Sequence, residues 1–147
     1  MSNLSGFCLT VERLIEVKFM KIDHVAVWTS NLERLKQFYI RYFAVECSSK
    51  YVNEKRGFES YFLRFDSGAR VELMYLPSLL RLEDSDVSFI GYAHLAIGVD
   101  LKENVDNLTS RLKADGYVLL SGPRYTGDGY YESVFLDPDG NHLEITI

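Results

Sequence analysis

The chain has 147 residues, 47% of them hydrophobic and 25% charged, with a formal net charge of −5 at pH 7. That composition excludes disorder and suits one compact domain or two small halves sharing a core. The acidic balance excludes a nucleic-acid surface, which needs clustered Lys and Arg. The weak basic cluster at Lys50, Lys55 and Arg56 is diluted by Glu54 and Glu59 and reads as a solvated loop.

Residues 1–19 read as an extension ahead of a single domain at 20–147. Met20-Lys21-Ile22 looks like a natural start, just before the first strong strand pattern. Val11, Leu14, Ile15 and Phe19 are spaced for a short amphipathic helix, to which no chemistry is assigned. Glu12, Arg13, Glu16 and Lys18 interrupt any secretory signal, and no apolar run approaches the ~20 residues that span a bilayer. Cys8 and Cys47 form neither a disulfide framework nor a metal-binding spacing and suit a reducing cytosol. A soluble cytoplasmic protein without nucleic-acid or membrane partners is the expectation.

From His24 the chain begins a pattern that it later repeats. "HVAVWTSNLE" at His24 is matched by "HLAIGVDLKE" at His94, with Ala26 and Ala96 at corresponding places. Ser30 and Asp100 stand where a helix N-cap belongs, and Glu33 and Glu103 follow at capping-box spacing. Leu32, Leu35, Tyr39 and Phe43 line one face of the first predicted helix. Leu101, Val105, Leu108 and Leu112 line one face of the second, and Gly116 is placed to terminate it. Strand-like runs follow each helix, including 60–65 and 132–136. Each half then closes through a turn, Asp66-Ser67-Gly68 or Pro138-Asp139-Gly140, into a strand that carries Glu72 or Glu144 at the same distance from its glycine. The pattern predicts two β-α-β-β-β modules, 20–76 and 91–147, in an α+β domain, joined by a loop around 77–90.

Strand alternation sets the direction of the polar residues. Glu72 lies opposite Val71, Leu73 and Tyr75, and Glu144 opposite Leu143, Ile145 and Ile147. His24 lies opposite Val25 and Val27, and His94 opposite Leu95 and Ile97. Two imidazoles and two carboxylates on one surface of a sheet are costly unless something compensates them, and a divalent cation does so. Mixed N/O ligation with room for water suits nickel, zinc, cobalt, iron or manganese. The predicted metal ligands are His24, Glu72, His94 and Glu144. His142 shares the face of Glu144 by parity and stands as a pocket-lining or rim residue. The segment 121–131, with three glycines and three tyrosines, has two readings: a mobile cover whose Arg124 meets a substrate anion, or a plain loop between strands.

At "HVAVWTSNLERLKQFY", "RVEL", "HLAIGVD" and "FLDPDGNHLEI" the chain resembles the vicinal-oxygen-chelate superfamily and, within it, glyoxalase I-like proteins. The resemblance covers about residues 20–147. It implies paired β-α-β-β-β modules curling into a half-barrel around a metal, with the four-ligand pattern of glyoxalase I falling on His24, Glu72, His94 and Glu144. Extradiol dioxygenases use two His and one Glu, and methylmalonyl-CoA epimerases usually show Gln at the place of Glu72. One departure concerns the thiol: the family's glutathione-holding Asn after the first Glu strand is Leu76 here.

The implied activity is a metal-dependent lyase or isomerase acting on a small carbonyl substrate, such as the hemithioacetal of methylglyoxal. A metal that binds a hydroxy-carbonyl through its oxygens acidifies the adjacent C–H and stabilises the developing enediolate. Glu144, with Glu72 as second candidate, is the expected base, and no organic cofactor is needed. Two further readings stay open: another metalloenzyme of the superfamily (a dioxygenase or thiol transferase), and a non-catalytic binder of small molecules or antibiotics. A homodimer is expected, because superfamily members build the site either within one chain or between two.

Overall fold

A computed structural model describes residues 20–80 and 91–147 of the chain. The helix expected near the N-terminus and most of the loop expected between the modules lie outside the described residues.

The first half runs β1 (His24–Trp28), α1 (Leu32–Phe43), β2 (Glu46–Cys47), β3 (Tyr51–Asn53), β4 (Phe58–Arg64) and β5 (Arg70–Tyr75). The second runs β6 (Leu95–Gly98), α2 (Lys102–Ala114), β7 (Leu119–Tyr125), β8 (Tyr131–Leu136) and β9 (His142–Thr146). The sheets have matching orders, β1-β5-β4-β2 with β3 also on β4, and β6-β9-β8-β7. In each half the first strand pairs in parallel with the last, and the other pairings are antiparallel. The result is an α+β fold of paired β-α-β-β-β modules.

Each helix covers the apolar face of its own sheet. On α1, Leu32, Leu35, Phe38, Tyr39 and Tyr42 are buried against Tyr61, Leu63, Val71 and Leu73. The predicted face thus holds, and it extends to Phe38 and Tyr42. On α2, Val105, Thr109 and Leu112 are buried with Phe135, Leu143 and Ile145. Thr109 is tolerated there because its hydroxyl bonds both the Val105 carbonyl and the buried Ser133 hydroxyl.

The helix starts differ from the capping reading. Asn31, not Ser30, caps α1, accepting from the Arg34 N–H at 3.0 Å. Leu101, not Asp100, occupies the N-cap of α2, makes no side-chain cap and is 57% exposed, so it does not belong to that helix's buried face. Neither capping box forms as predicted: Glu33 turns to Lys36, Lys50 and Tyr61 instead. The end of α2 follows expectation. Gly116, at φ +89°, lets its N–H reach Lys113 and that of Tyr117 reach Leu112, closing the last turn.

The segment 121–131 is mostly strand rather than a cover or a plain loop. β7 continues through Arg124 with register shifts near Ser121, and only the turn at 126–130 is loop. At Gly122 the backbone passes so close to β8 that a Cβ would collide with the Glu132 carbonyl. Among the described residues no helix is long and apolar enough to cross a membrane.

Candidate metal centre

Parallel pairing places each histidine beside its glutamate. In the first half His24 pairs with Arg70 and Ala26 with Glu72, so His24 and Glu72 are diagonal neighbours on one face. His24 Nε2 lies 3.8 Å from Glu72 Oε2. In the second half Ala96 pairs with Glu144, and His94, immediately ahead of β6, places its Nε2 3.6 Å from Glu144 Oε2. Both glutamates are largely buried, at 15% side-chain exposure, while both imidazoles are about half exposed.

The surroundings of the two pairs differ. His24 Nδ1 bonds Asp23 Oδ2 at 2.9 Å, which fixes the ring and turns Nε2 towards Glu72. Hydrogen bonds from His24 and then Arg70 hold the Asp23 carboxyl down at about 2. Phe62 meets the imidazole edge-on at 5.4 Å. Beside Glu144 stands a second carboxyl, Glu132, itself buried and paired with Arg124 Nη2 at 3.0 Å. Burial, then the Glu132 charge, raises the Glu144 pKa above the ordinary carboxylate value. Arg124 Nε also donates to Ser121 Oγ at 2.8 Å, so one edge of the guanidinium is fixed while the side chain stays half exposed. His142 is exposed at the start of β9, on the Glu144 side of the strand.

The chain therefore brings the four sequence-predicted ligands together as two pairs. Among the described residues no three His, Cys, Asp or Glu side chains group around one point that would hold an ion. The chemistry of each pair nevertheless fits a divalent cation. Donor atoms ~2.1 Å from a metal sit roughly 3 to 3.5 Å from each other, slightly closer than these Nε2–Oε2 gaps. Each pair supplies one neutral nitrogen and one carboxylate, and two pairs together neutralise a dication. Asp23 and Glu132 escaped the sequence reading. Asp23 carried a signal in its position directly before His24, and Glu132 in sharing parity with Val134, the residue that pairs with Glu144.

A cleft of about 820 Å³ lies elsewhere. Val25, Val71, Leu95 and Ile97 line it, on the strand faces opposite the His–Glu pairs, with Asp66–Arg70 and α2 on either side.

The fold is shared with known structures. The chain is similar to the trypanothione-dependent glyoxalase I of Leishmania major, at 20% identity and a TM-score of 0.68, covering 86% of each chain. A glyoxalase family protein of Enterococcus faecalis is 24% identical over 89% of this chain and all of that one, with a TM-score of 0.71. A glyoxalase/bleomycin resistance protein/dioxygenase domain from Frankia is 17% identical, covering 88% of this chain and 98% of that one, with a TM-score of 0.73. No curated protein matches the chain in sequence. The model of the Glyoxalase/Bleomycin resistance protein/Dioxygenase superfamily matches residues 21–145, and the chain belongs to that superfamily.

Proposed function

We propose that the chain is a metal-dependent, glyoxalase I-like lyase or isomerase that moves a proton between neighbouring carbons of a small carbonyl substrate, such as the hemithioacetal of methylglyoxal. The observation that carries this reading is the repeated His–Glu pair, held at 3.8 and 3.6 Å by the same parallel pairing in both halves. His24, Glu72, His94 and Glu144 would hold nickel, zinc, cobalt, iron or manganese. The ion, when bound, would polarise the substrate oxygens and stabilise the charge that develops on them.

Glu144 is the base: it takes the proton from the hydroxyl-bearing carbon and returns it to the adjacent carbonyl carbon. Its buried setting beside Glu132 favours the proton-accepting role over that of a fully solvated carboxylate. Glu72, on the other half, is the alternative base. Arg124, with one edge anchored on Ser121 and Glu132, meets an anionic part of the substrate, and His142 lines the approach. Because the two pairs stay separate among the described residues, four ligands are completed when two chains associate as a homodimer, each lending one pair. The enzyme is placed in the cytoplasm on its cysteine usage.

Metal analysis and complementation test this reading. The protein binds one ion per chain and forms thioester from methylglyoxal and a thiol; Glu144→Gln keeps most of the metal and loses turnover. A chain carrying His24→Ala with Glu72→Gln, and another carrying His94→Ala with Glu144→Gln, are each inactive. Mixed, they regain about a quarter of the wild-type rate, since half the dimers then hold one intact site. Stoichiometric metal without thioester from any thiol overturns the isomerase reading, and no recovery on mixing overturns the shared site.

A further inference from the structure

The two His–Glu pairs share a backbone frame, but what stands behind each imidazole differs. Asp23 precedes His24, whereas Ala93 precedes His94. Arg70, two residues before Glu72 on β5, donates to Asp23, and His142 takes that place on β9. Phe62, paired with Glu72, meets the His24 ring edge-on, whereas Val134 is the residue paired with Glu144. Among the described residues the His94 imidazole has no hydrogen bond or ion pair besides Glu144.

These neighbours decide where the ring proton sits. A neutral imidazole carries one N–H, and its other nitrogen offers the lone pair that a metal takes. A carboxylate only accepts, so the 2.9 Å contact with Asp23 Oδ2 puts the proton on His24 Nδ1. Arg70 donates to the same oxygen, which favours the ionised carboxyl. The Nε2 lone pair then faces Glu72 Oε2 across 3.8 Å with no proton between them. Two acceptors facing each other are costly, and a cation relieves them. Nothing comparable selects the tautomer of His94. A proton on its Nε2, towards Glu144 at 3.6 Å, must leave before that nitrogen can bind an ion. An outer carboxylate that fixes the tautomer and angle of a ligating histidine is worth roughly ten- to a hundredfold in metal affinity.

We propose that Asp23 makes the two pairs unequal: it prepares His24 as a donor, so the His24–Glu72 pair takes up the metal ion first and holds it more tightly, and the His94–Glu144 pair joins second. This inference rests on the reading of the pairs as metal ligands given above and adds the order in which they fill. Asp23 acts through His24 and is a positioning residue.

Zinc affinity is measured by calorimetry on the two double variants introduced above, with a variant lacking all four ligands as the blank. His94→Ala with Glu144→Gln, which keeps the first pair, should bind about tenfold more tightly than His24→Ala with Glu72→Gln. Adding Asp23→Ala should remove that advantage, while adding Arg70→Gln should keep it, because the bond from His24 to Asp23 survives. Nitrogen NMR of the metal-free wild type, with its imidazoles neutral, supplies a readout that a purely structural role would not move. The His24 proton should sit on Nδ1, and Asp23→Ala should shift it towards Nε2. Equal zinc affinities of the two double variants, or a wild-type His24 proton on Nε2, would overturn the inference and leave the metal reading intact. A loss with Arg70→Gln as large as with Asp23→Ala would also overturn it, assigning the effect to the ion pair. Zinc uptake no greater than the blank in both double variants would overturn the metal reading, and this inference with it.

Discussion

Two turns occupy equivalent places in the halves of the molecule, 65–69 between β4 and β5 and 137–141 between β8 and β9. Each approaches the start of the other half's helix. At the β8–β9 turn, Asp137 accepts from the Asp139 and Asn141 N–H groups and from the Asn141 amide, each at 2.9 Å, which shapes the loop. The turn then presents Asp139 to α1, where it accepts from the Thr29 and Ser30 hydroxyls and from Arg34 Nη2. At the β4–β5 turn Phe65 and Ser67 stand in place of Asp137 and Asp139, and Asp100 faces them in place of Ser30. There the two halves leave the 820 Å³ cleft between them. The repeat sets where turn and helix meet, but the polar contact at this corner depends on one carboxylate and its donors. Elsewhere the halves also meet where Arg41 and Tyr42 reach Asp115 and the Phe38 and Tyr42 rings pack on Tyr117. A symmetrical fold is thus locked at one corner and open at the other.

Removing the lock should have the largest effect. Thr29 is 2% exposed, so Asp139→Ala strands a buried hydroxyl, while the half-exposed Arg34 turns to solvent. A loss of about 2 kcal/mol is expected in urea unfolding, whereas Ser67→Ala at the open corner should change stability by less than about 0.5 kcal/mol. Equal effects at the two positions would show that the corners do not differ energetically.

The helix starts repeat the contrast on a smaller scale. Asn31 caps α1 through its side chain, while Leu101 leaves the first N–H groups of α2 without that partner. Leu101→Asn should therefore stabilise by about 1 kcal/mol and Asn31→Ala destabilise by a similar amount. Thermal melting of both variants checks the pair, and a Leu101→Asn protein no more stable than wild type would show that water or a neighbour already serves the α2 start.

These corners also show how far the sequence was legible. Alternation around His24, Glu72, His94 and Glu144 gave the strand faces correctly, and helical spacing gave both buried helix faces apart from Leu101, because burial of a regular element follows its period. Each cap falls one residue later than its spacing predicts. Nothing in the structure explains why Leu101 takes the place of Asp100 at α2. At α1, Ser30 and Asn31 are equally good capping types and tertiary contacts decide, with the Ser30 hydroxyl donating to Asp139. The bend of β7 at Gly122 escaped for a related reason: three glycines and a proline spell a loop locally, and only the neighbouring β8 makes the segment a strand. The pairing of each His with its Glu was implicit in the repeat. The separation of the two pairs was not, since no local pattern encodes how two modules sit against each other.

The smallest effect concerns charge at the α1 corner. Glu33 is held by Lys36, then by Lys50, with the Tyr61 hydroxyl adding a third hydrogen bond, and its carboxyl is lowered from 4.5 to about 2. At the other helix Glu103 occupies the equivalent position and is exposed. A carboxyl depressed in the folded state stabilises the protein fully above its unfolded value and loses that contribution as the pH falls towards the folded one. Wild type should therefore exceed Glu33→Gln in stability above 4.5, and the difference should shrink between 4.5 and about 2. Because the side chain is half exposed, solvent screening keeps the gain below about 1 kcal/mol, and salt should reduce it further. Urea unfolding across that acid range, at low and high salt, measures both trends. A difference that persists unchanged to the acid end would assign the role of Glu33 to packing on Tyr61 rather than to its charge.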